Sequence, residues 1–171
     1  MKLLIASDIH GSAAWCERLM QHIDAESPDA IVLLGDLLNH GPRNPLPDRY
    51  APQEVADMLN GIAERIVAVR GNCDSEVDQM LLDFPCLGDY ALLFDGSRKL
   101  FATHGHVFGP DNVLPLSAGS VVLSGHTHVK TNEERDGLLF INPGSVSLPK
   151  DGSRSCAVYE NGAFRFVKLD D

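Results

Sequence analysis

The sequence has few aromatic residues and no excess of basic ones. It contains one Trp and three Tyr, and its 14 Lys and Arg residues against 24 Asp and Glu give a formal net charge of -10. An acidic protein is repelled by nucleic acid and by anionic membranes, and few aromatic rings are available here to stack on bases. We therefore expect no binding to long nucleic acid or to membranes. A phosphate-containing substrate would need a strong local positive centre.

Cysteine pairs and long apolar runs are also missing. The four cysteines, at positions 16, 73, 86 and 156, show no C-x-x-C spacing, and a chain of 171 residues can bury a core without disulfides. The first apolar run stops at Ser7, too early for a secretory signal, and no stretch is long enough to span a bilayer. We expect one domain over residues 1–171 in a reducing, cytoplasmic setting. The oligomeric state stays open, a homo-oligomer included.

In the first half of the chain, short apolar runs alternate with helical patterns. The predicted strands cover residues 2–7, 30–34 and 66–69. Ser12 is a typical N-cap for the first helix, Pro52 suits the first turn of the second, and a third helix is expected from about Ser75 to Leu82. This alternation predicts parallel strands joined by right-handed crossovers.

The second half of the chain is rich in strands. They are predicted at 90–94, 99–103, 121–124, 138–141, 156–159 and 164–168. Turn signals at Asp95-Gly96, Asp136-Gly137 and Asn161-Gly162 indicate hairpins, and therefore antiparallel pairs. The sequence thus predicts an α/β protein in which two mixed sheets pack together with helices outside.

The segment from Leu37 to Ala51 is expected to be a loop. It contains Pro42, Pro45 and Pro47, and proline at this density prevents regular structure. Because a long irregular loop in a compact domain is usually functional, we expect a role in substrate binding. The alternative is a surface excursion without function.

Polar clusters follow five of the predicted strands. They are Asp8-Ile9-His10, Gly35-Asp36, Gly71-Asn72-Cys73-Asp74, His104-Gly105-His106 and Gly125-His126-Thr127-His128. Ligands of α/β sheets bind at the carboxyl ends of the strands, so these clusters should meet in one crevice. Each cluster alone has a structural explanation, such as a turn or a cap. Their joint occurrence at strand ends predicts a functional site.

The side chains in these clusters are metal ligands by type. Carboxylate, amide and imidazole donors suit Mn, Fe, Zn or Ni rather than calcium. Residues two apart in an extended chain point the same way, so Asp8 and His10 should face one site. The same spacing should direct His126 and His128 toward that site.

The motifs D-x-H, G-D-x-x-N, G-N-C-D, T-H-G-H and G-H-T-H, at residues 8–10, 35–39, 71–74, 103–106 and 125–128, resemble those of the calcineurin-like metallophosphoesterases. The loop 35–50 and the sequence N-P-G-S at 142–145 are most similar to the small bacterial YfcE-type phosphodiesterases. The resemblance covers nearly the whole chain. It implies the metallo-dependent phosphatase fold, a four-layer α/β/β/α sandwich of two mixed β-sheets flanked by helices.

The resemblance also implies a binuclear centre that holds two divalent ions, with Mn expected and Zn, Fe, Ni or Co as alternatives. One ion would be held by Asp8, His10, Asp36 and His128, and the other by Asp36, Asn72, His104 and His126. Two such ions outweigh the two aspartates and would supply the positive centre that an acidic protein otherwise lacks. The implied activity is hydrolysis of small phosphodiesters through in-line attack by a metal-bridging hydroxide, with catalytic roles for Asp36, Asn72, Cys73 and His104.

Cys73 stands where many relatives carry a histidine that protonates the leaving group. A thiol is a poorer acid catalyst than an imidazolium, which favours diesters with good leaving groups; Cys73 is otherwise a packing residue beside Asn72. Arg43, His40 and His106 are predicted substrate contacts, His106 alternatively being an ordinary loop residue. The competing functions are a phosphomonoesterase or nucleotide pyrophosphatase with the same site, and a non-catalytic scaffold of the same fold.

Overall fold

The computed structural model describes residues 1–170 as two mixed five-stranded sheets with helices alongside. The strands are β1 (Lys2–Ala6), β2 (Ala30–Leu33), β3 (Ile66–Ala68), β4 (Tyr90–Asp95), β5 (Arg98–Thr103), β6 (Val121–Leu123), β7 (Thr131–Arg135), β8 (Leu138–Asn142), β9 (Ser155–Glu160) and β10 (Ala163–Lys168). The helices are α1 (Ala13–Glu26), α2 (Pro52–Asn60), a 3-10 turn (Ala63–Arg65) and α3 (Glu76–Gln79). The predicted α/β class with two mixed sheets and flanking helices is confirmed.

The first sheet has the strand order β10-β9-β1-β2-β3. Strands β1, β2 and β3 are parallel, as the alternating pattern predicts, whereas β9 runs antiparallel to β1 and β10. The second sheet has the order β4-β5-β6-β8-β7, with β5, β6 and β8 parallel and a hairpin at each edge. Three parallel strands in each sheet bring several carboxyl ends together.

The alternation of side chains along β1 explains the layers. Leu4 and Ala6 face the helical layer formed by α1 and α2, whereas Leu3 and Ile5 face the second sheet. The outer face of the second sheet is covered by the irregular segment 107–116, of which Phe108 packs on Phe101. Within residues 1–170, the helices therefore all come from the first half of the chain.

The helix starts follow the local sequence. Ser12 caps α1 by accepting a hydrogen bond from the Trp15 N–H group, and Pro52 occupies the first turn of α2. Helix α3 covers one turn only, shorter than predicted from Ser75 to Leu82. Beyond Gln79 the chain continues in turns, in which the Leu81 and Leu82 N–H groups both donate to the Asp78 carbonyl, and Leu82 is buried in the core.

Strand β7 was not predicted. Its residues Thr131–Arg135 are polar and mostly exposed, so they show no apolar alternation. The Asp136-Gly137 turn pairs them with β8 at the edge of the second sheet. Within residues 1–170, no helix has both the length and the apolar composition needed to cross a bilayer.

Candidate metal centre and substrate cleft

The polar clusters converge at the carboxyl ends of the parallel strands, but not in extended backbone. Strand β1 ends at Ala6, and both Asp8 (φ 58) and His10 (φ 51) have left-handed backbone conformations. His126 (φ 68) and His128 (φ 60) do as well. The expectation that an extended chain aligns each pair is therefore wrong. In each pair, two left-handed residues separated by one other residue direct both side chains to the same point.

Backbone hydrogen bonds hold the turns in place. The Asp8 N–H group donates to the Gly35 carbonyl (3.1 Å) and the His10 N–H group to the Asp36 carbonyl (2.9 Å). The hydroxyls of Ser145 and Ser147 both donate to the Asp8 carbonyl, at 2.8 and 3.1 Å. The loops after β1 and β2 thus form one rigid unit.

Three buried donor atoms form the first group. Asp8 Oδ1 lies 3.6 Å from His10 Nε2 and 3.1 Å from His128 Nε2, and the two imidazole nitrogens are 3.3 Å apart. Such a set is able to hold a metal ion. The two loops that supply these atoms follow β1 and β6, so both sheets contribute.

The imidazoles are oriented for metal binding. Nδ1 of His10 donates to the Asn39 carbonyl (2.9 Å), that of His104 to the Leu34 carbonyl (2.6 Å), and that of His128 to the Leu148 carbonyl (2.6 Å). Because a carbonyl oxygen only accepts, each Nδ1 carries a proton, and Nε2 is the ring atom directed at the centre and able to bind a metal ion once it is unprotonated.

The Asp8 carboxylate has one oxygen with no partner. Its Oδ2 atom accepts hydrogen bonds from the Ser7 hydroxyl (2.6 Å) and the His126 N–H group (3.0 Å), whereas Oδ1 is buried without one. A buried, unpaired carboxylate oxygen is costly unless a cation approaches it. Its position among imidazole nitrogens fits a metal ion.

The second group shares Asp36 with the first. Asp36 Oδ2 lies 3.7 Å from His10 Nε2 and 3.5 Å from His104 Nε2, so it sits between the two groups. His104 Nε2 is in turn 3.0 Å from Asn72 Oδ1 and 3.2 Å from His126 Nδ1. The structure therefore brings together all seven side chains that the sequence singles out.

The ionisable side chains of the centre shift each other's pKa values. Burial raises the pKa of Asp8, but the adjacent imidazoles of His10 and His128 outweigh burial and hold that pKa far below its usual range. Burial lowers the pKa of His10, but the adjacent Asp8 carboxylate and Cys73 thiol raise it to about 10. His10 has to lose a proton to bind a metal ion, so metal binding would release that proton.

Asp74 supports the centre from behind, a role that the sequence did not reveal. Its buried carboxylate accepts hydrogen bonds from the backbone N–H groups of Asp36 (2.8 Å), Leu37 (2.9 Å) and Gly71 (2.7 Å). Burial raises the pKa of Asp74 to about 6. Gly71 approaches so closely that a Cβ atom there would lie 2.1 Å from Asp36 Oδ1. The fourth position of the G-N-C-D motif was the available signal.

The sequence profile of the calcineurin-like phosphoesterase superfamily domain matches residues 1–162. The chain belongs to this superfamily. The family depends on divalent metal ions, and the donor groups described above fit that requirement.

Similar proteins and structures agree with this assignment. Phosphodiesterase YfcE of Escherichia coli K12 is 47% identical over 172 residues, which covers 100% of this chain and 94% of that protein. The probable metallophosphoesterase YsnB of Bacillus subtilis is 32% identical over 158 residues, covering 88% and 78%. The solved structure of Yfce, a phosphoesterase from E. coli, matches with a TM-score of 0.93 at 43% identity and covers 99% of this chain and 100% of that chain.

A cleft of about 840 Å³ opens over the centre of this phosphoesterase. Its floor contains Asp36, Asn72, His126 and His128, and its walls are formed by Asn39, Gly41, Pro42, Arg43, Asn44, Cys73 and Lys150. The proline-rich loop, irregular as predicted, therefore borders the cleft on one side. Lys150 was not predicted to be near the site, because no motif surrounds it.

The predicted substrate contacts differ in position. Arg43 lines the cleft. His106 packs beside His104 and His126, with ring centroids 5.2 and 6.2 Å away. His40 is not among the residues that line the cleft; its ring packs edge-on against Tyr50, with centroids 5.1 Å apart.

Cys73 lies between the centre and the loop. Its N–H group donates to Asp36 Oδ1 (2.8 Å), and its Sγ atom is 3.2 Å from Asn72 Nδ2. A Cβ atom on Gly41 would come within 2.8 Å of this sulfur, so the thiol is packed under the loop. Burial raises the pKa of Cys73, which keeps the thiol protonated at neutral pH.

Proposed function

We propose that this phosphoesterase is a binuclear phosphodiesterase that hydrolyses small phosphodiesters. The observation that carries the proposal is the position of Asp36 Oδ2, which lies within 3.7 Å of His10 Nε2 and 3.5 Å of His104 Nε2. One carboxylate oxygen between two groups of donors suits two metal ions that share a ligand. The 47% identity with a protein named phosphodiesterase supports the diester as the substrate class.

The residues divide into two ligand sets. Asp8, His10 and His128 would hold one ion and Asn72, His104 and His126 the other, with Asp36 shared. Bound divalent ions in such a pair supply Lewis acidity and lower the pKa of water, which removes the need for a nucleophilic side chain. Mn is the expected metal, with Zn, Fe, Ni or Co as alternatives, because carboxylate, amide and imidazole donors suit this group of divalent ions.

The chain's own contribution is to position the reacting groups. Asn72 is exposed at the floor of the cleft, where its side-chain amide can orient a phosphoryl oxygen. Cys73 also lines this cleft. Because a protonated thiol with a raised pKa donates poorly, the chemistry favours leaving groups that need no acid.

The test is an assay of purified protein with Mn against bis-p-nitrophenyl phosphate and p-nitrophenyl phosphate. Turnover of the diester well above that of the monoester supports the proposal. Faster turnover of the monoester would favour a phosphomonoesterase, and no turnover of either by Mn-loaded protein would favour a scaffold. Substitution of Asp36 by Asn should abolish turnover and lower the Mn content, as measured by elemental analysis.

The remaining expectations concern the surroundings of the enzyme. A net charge of -10 supports a small substrate rather than long nucleic acid or a membrane surface. A reducing, cytoplasmic location is supported by the four free thiols among the described residues, three of them buried. Sedimentation of the purified protein would establish whether it forms homo-oligomers.

A further inference from the structure

Two basic side chains on the cleft walls have no acidic partner. Arg43 and Lys150 are the basic residues that line the cleft, and within residues 1–170 neither makes an ion pair. Arg49, which pairs with Glu17 (2.6 Å), is an example of a paired cation outside the cleft. Asp36 is the one acidic residue among those lining the cleft, and its carboxylate belongs to the metal centre. In a chain of net charge -10, two unpaired cations facing the same space point to an anion.

Lys150 is fixed relative to the metal centre by its backbone. Its N–H group donates to the His128 carbonyl (3.0 Å), and the His128 ring in turn donates to the Leu148 carbonyl (2.6 Å). This hydrogen bond holds the Lys150 backbone at a fixed position beside the metal-binding His128. Lys150 is exposed and lines the cleft.

The backbone around Arg43 is fixed in a similar way. The loop that carries it is held by the His10 ring, which donates to the Asn39 carbonyl (2.9 Å), and by the Gly41 N–H group, which donates to Asn39 Oδ1 (2.8 Å). A turn then follows, closed by the Asn44 N–H group on the Gly41 carbonyl (3.3 Å). Both cations thus lie one hydrogen-bonded segment away from a metal ligand.

We propose that Arg43 and Lys150 form a second anion subsite, so that the preferred substrate is a phosphodiester with an additional carboxylate or phosphate group. The inference rests on the proposed phosphodiesterase activity. The metal centre takes the scissile phosphate, and the cleft of about 840 Å³ leaves room for a further group between the walls. Arginine binds carboxylate and phosphate alike through paired N–H groups, and lysine adds a point charge.

Three p-nitrophenyl phosphodiesters with the same leaving group test the subsite. Their second alcohols are 2-carbamoylethyl, which is neutral, 2-carboxyethyl and 2-phosphonoethyl, so they differ mainly in charge. Solvent-exposed charge pairs contribute about threefold each, so we expect Mn-loaded wild-type enzyme to show about a tenfold higher kcat/KM for a charged substrate than for the neutral one. A larger preference for the phosphonate than for the carboxylate would identify a phosphate as the natural group.

The variants Arg43→Gln and Lys150→Gln should each lower this ratio about threefold, chiefly through KM, and the double variant should bring it close to one. Lys168→Gln is the matched control, because it removes an exposed lysine outside the cleft and should leave the ratio unchanged. The wild-type ratio should also fall as NaCl is raised. Melting temperatures and Mn contents of all variants should match the wild type.

The outcomes separate the two proposals. Wild-type enzyme that hydrolyses none of the three esters overturns the phosphodiesterase activity and the subsite with it. Enzyme that hydrolyses charged and neutral esters with equal kcat/KM overturns the subsite alone. The same holds if Lys168→Gln changes the ratio as much as Arg43→Gln does.

Discussion

The Asp74→Ala substitution should destabilise the protein and weaken metal binding together. In the structure this carboxylate accepts three backbone N–H groups, from Asp36, Leu37 and Gly71, at 2.7–2.9 Å. Each buried N–H group left without a partner costs about 1–3 kcal/mol. Burial of the charged carboxylate is itself unfavourable and raises the pKa of Asp74 to about 6. Removing the carboxylate relieves that cost. We therefore expect the lower part of the range, a loss of about 3 kcal/mol in the free energy of unfolding.

The expected metal effect follows from the same contacts. Asp36 has a left-handed backbone (φ 55), and Asp74 holds its N–H group. Without that contact the loop can relax, and the Asp36 side chain would leave its position between the two donor groups. Mn affinity should fall at least about tenfold, which corresponds to about 1.4 kcal/mol. Asp74→Asn should lie between wild type and alanine, because one amide oxygen can replace only part of the carboxylate.

Urea unfolding and Mn titration of the same preparations provide the measurement. Asp78→Ala is the control, since this nearby aspartate accepts from the N–H group and hydroxyl of Ser75 in the capping box of α3. It should cost about 1 kcal/mol and leave Mn affinity unchanged. An Asp74→Ala protein within 1 kcal/mol of wild type, or one that binds Mn normally, would refute the reasoning.

Three further predictions concern close packing, the leaving group and pH. Gly71→Ala should lower Mn affinity at least about tenfold, because the added methyl group would lie 2.1 Å from Asp36 Oδ1. Gly88→Ala is the control and should leave Mn affinity unchanged, because the nearest atom to its methyl group would be 3.6 Å away. Cys73→Ser should lower kcat on bis-p-nitrophenyl phosphate by less than the roughly hundredfold cost of losing a general acid; complete loss of activity with both metals retained would contradict this. Hydrogen bonds from Arg165 and Lys2 lower the pKa of Glu26 from 4.5 to about 2. Glu26→Gln should therefore lower the free energy of unfolding by about 1 kcal/mol above pH 4.5, and this difference should vanish as pH falls through 2. A difference in unfolding free energy that persists at pH 2 would refute the prediction.

Residue types and spacing sufficed to predict nine of the ten strands of residues 1–170, and to select seven side chains that the fold brings together. Those features depend on local signals, since apolar alternation defines β1 and a hydroxyl before a helix defines its start at Ser12. Strand β7 could not be predicted in this way, because its pairing with β8 follows from the turn and not from its own polar residues. The position of Lys150 beside the site depends on a hydrogen bond to His128, 22 residues earlier, and no local sequence pattern indicates this contact.

The backbone of the metal centre is left-handed at several positions where the sequence pattern predicts extended backbone. Extended backbone was expected to align Asp8 with His10, yet among residues 1–170 nine non-glycine residues have positive φ, and five of them are Asp8, His10, Asp36, His126 and His128.

Left-handed backbone costs a residue with a side chain roughly 1–2 kcal/mol, so a sequence keeps it only where surrounding contacts impose it. Here the hydroxyls of Ser145 and Ser147 hold the Asp8 carbonyl, and Asp74 holds the Asp36 N–H group. These contacts come from side chains of the protein itself, so the fold supplies part of the energy that places the metal-binding side chains.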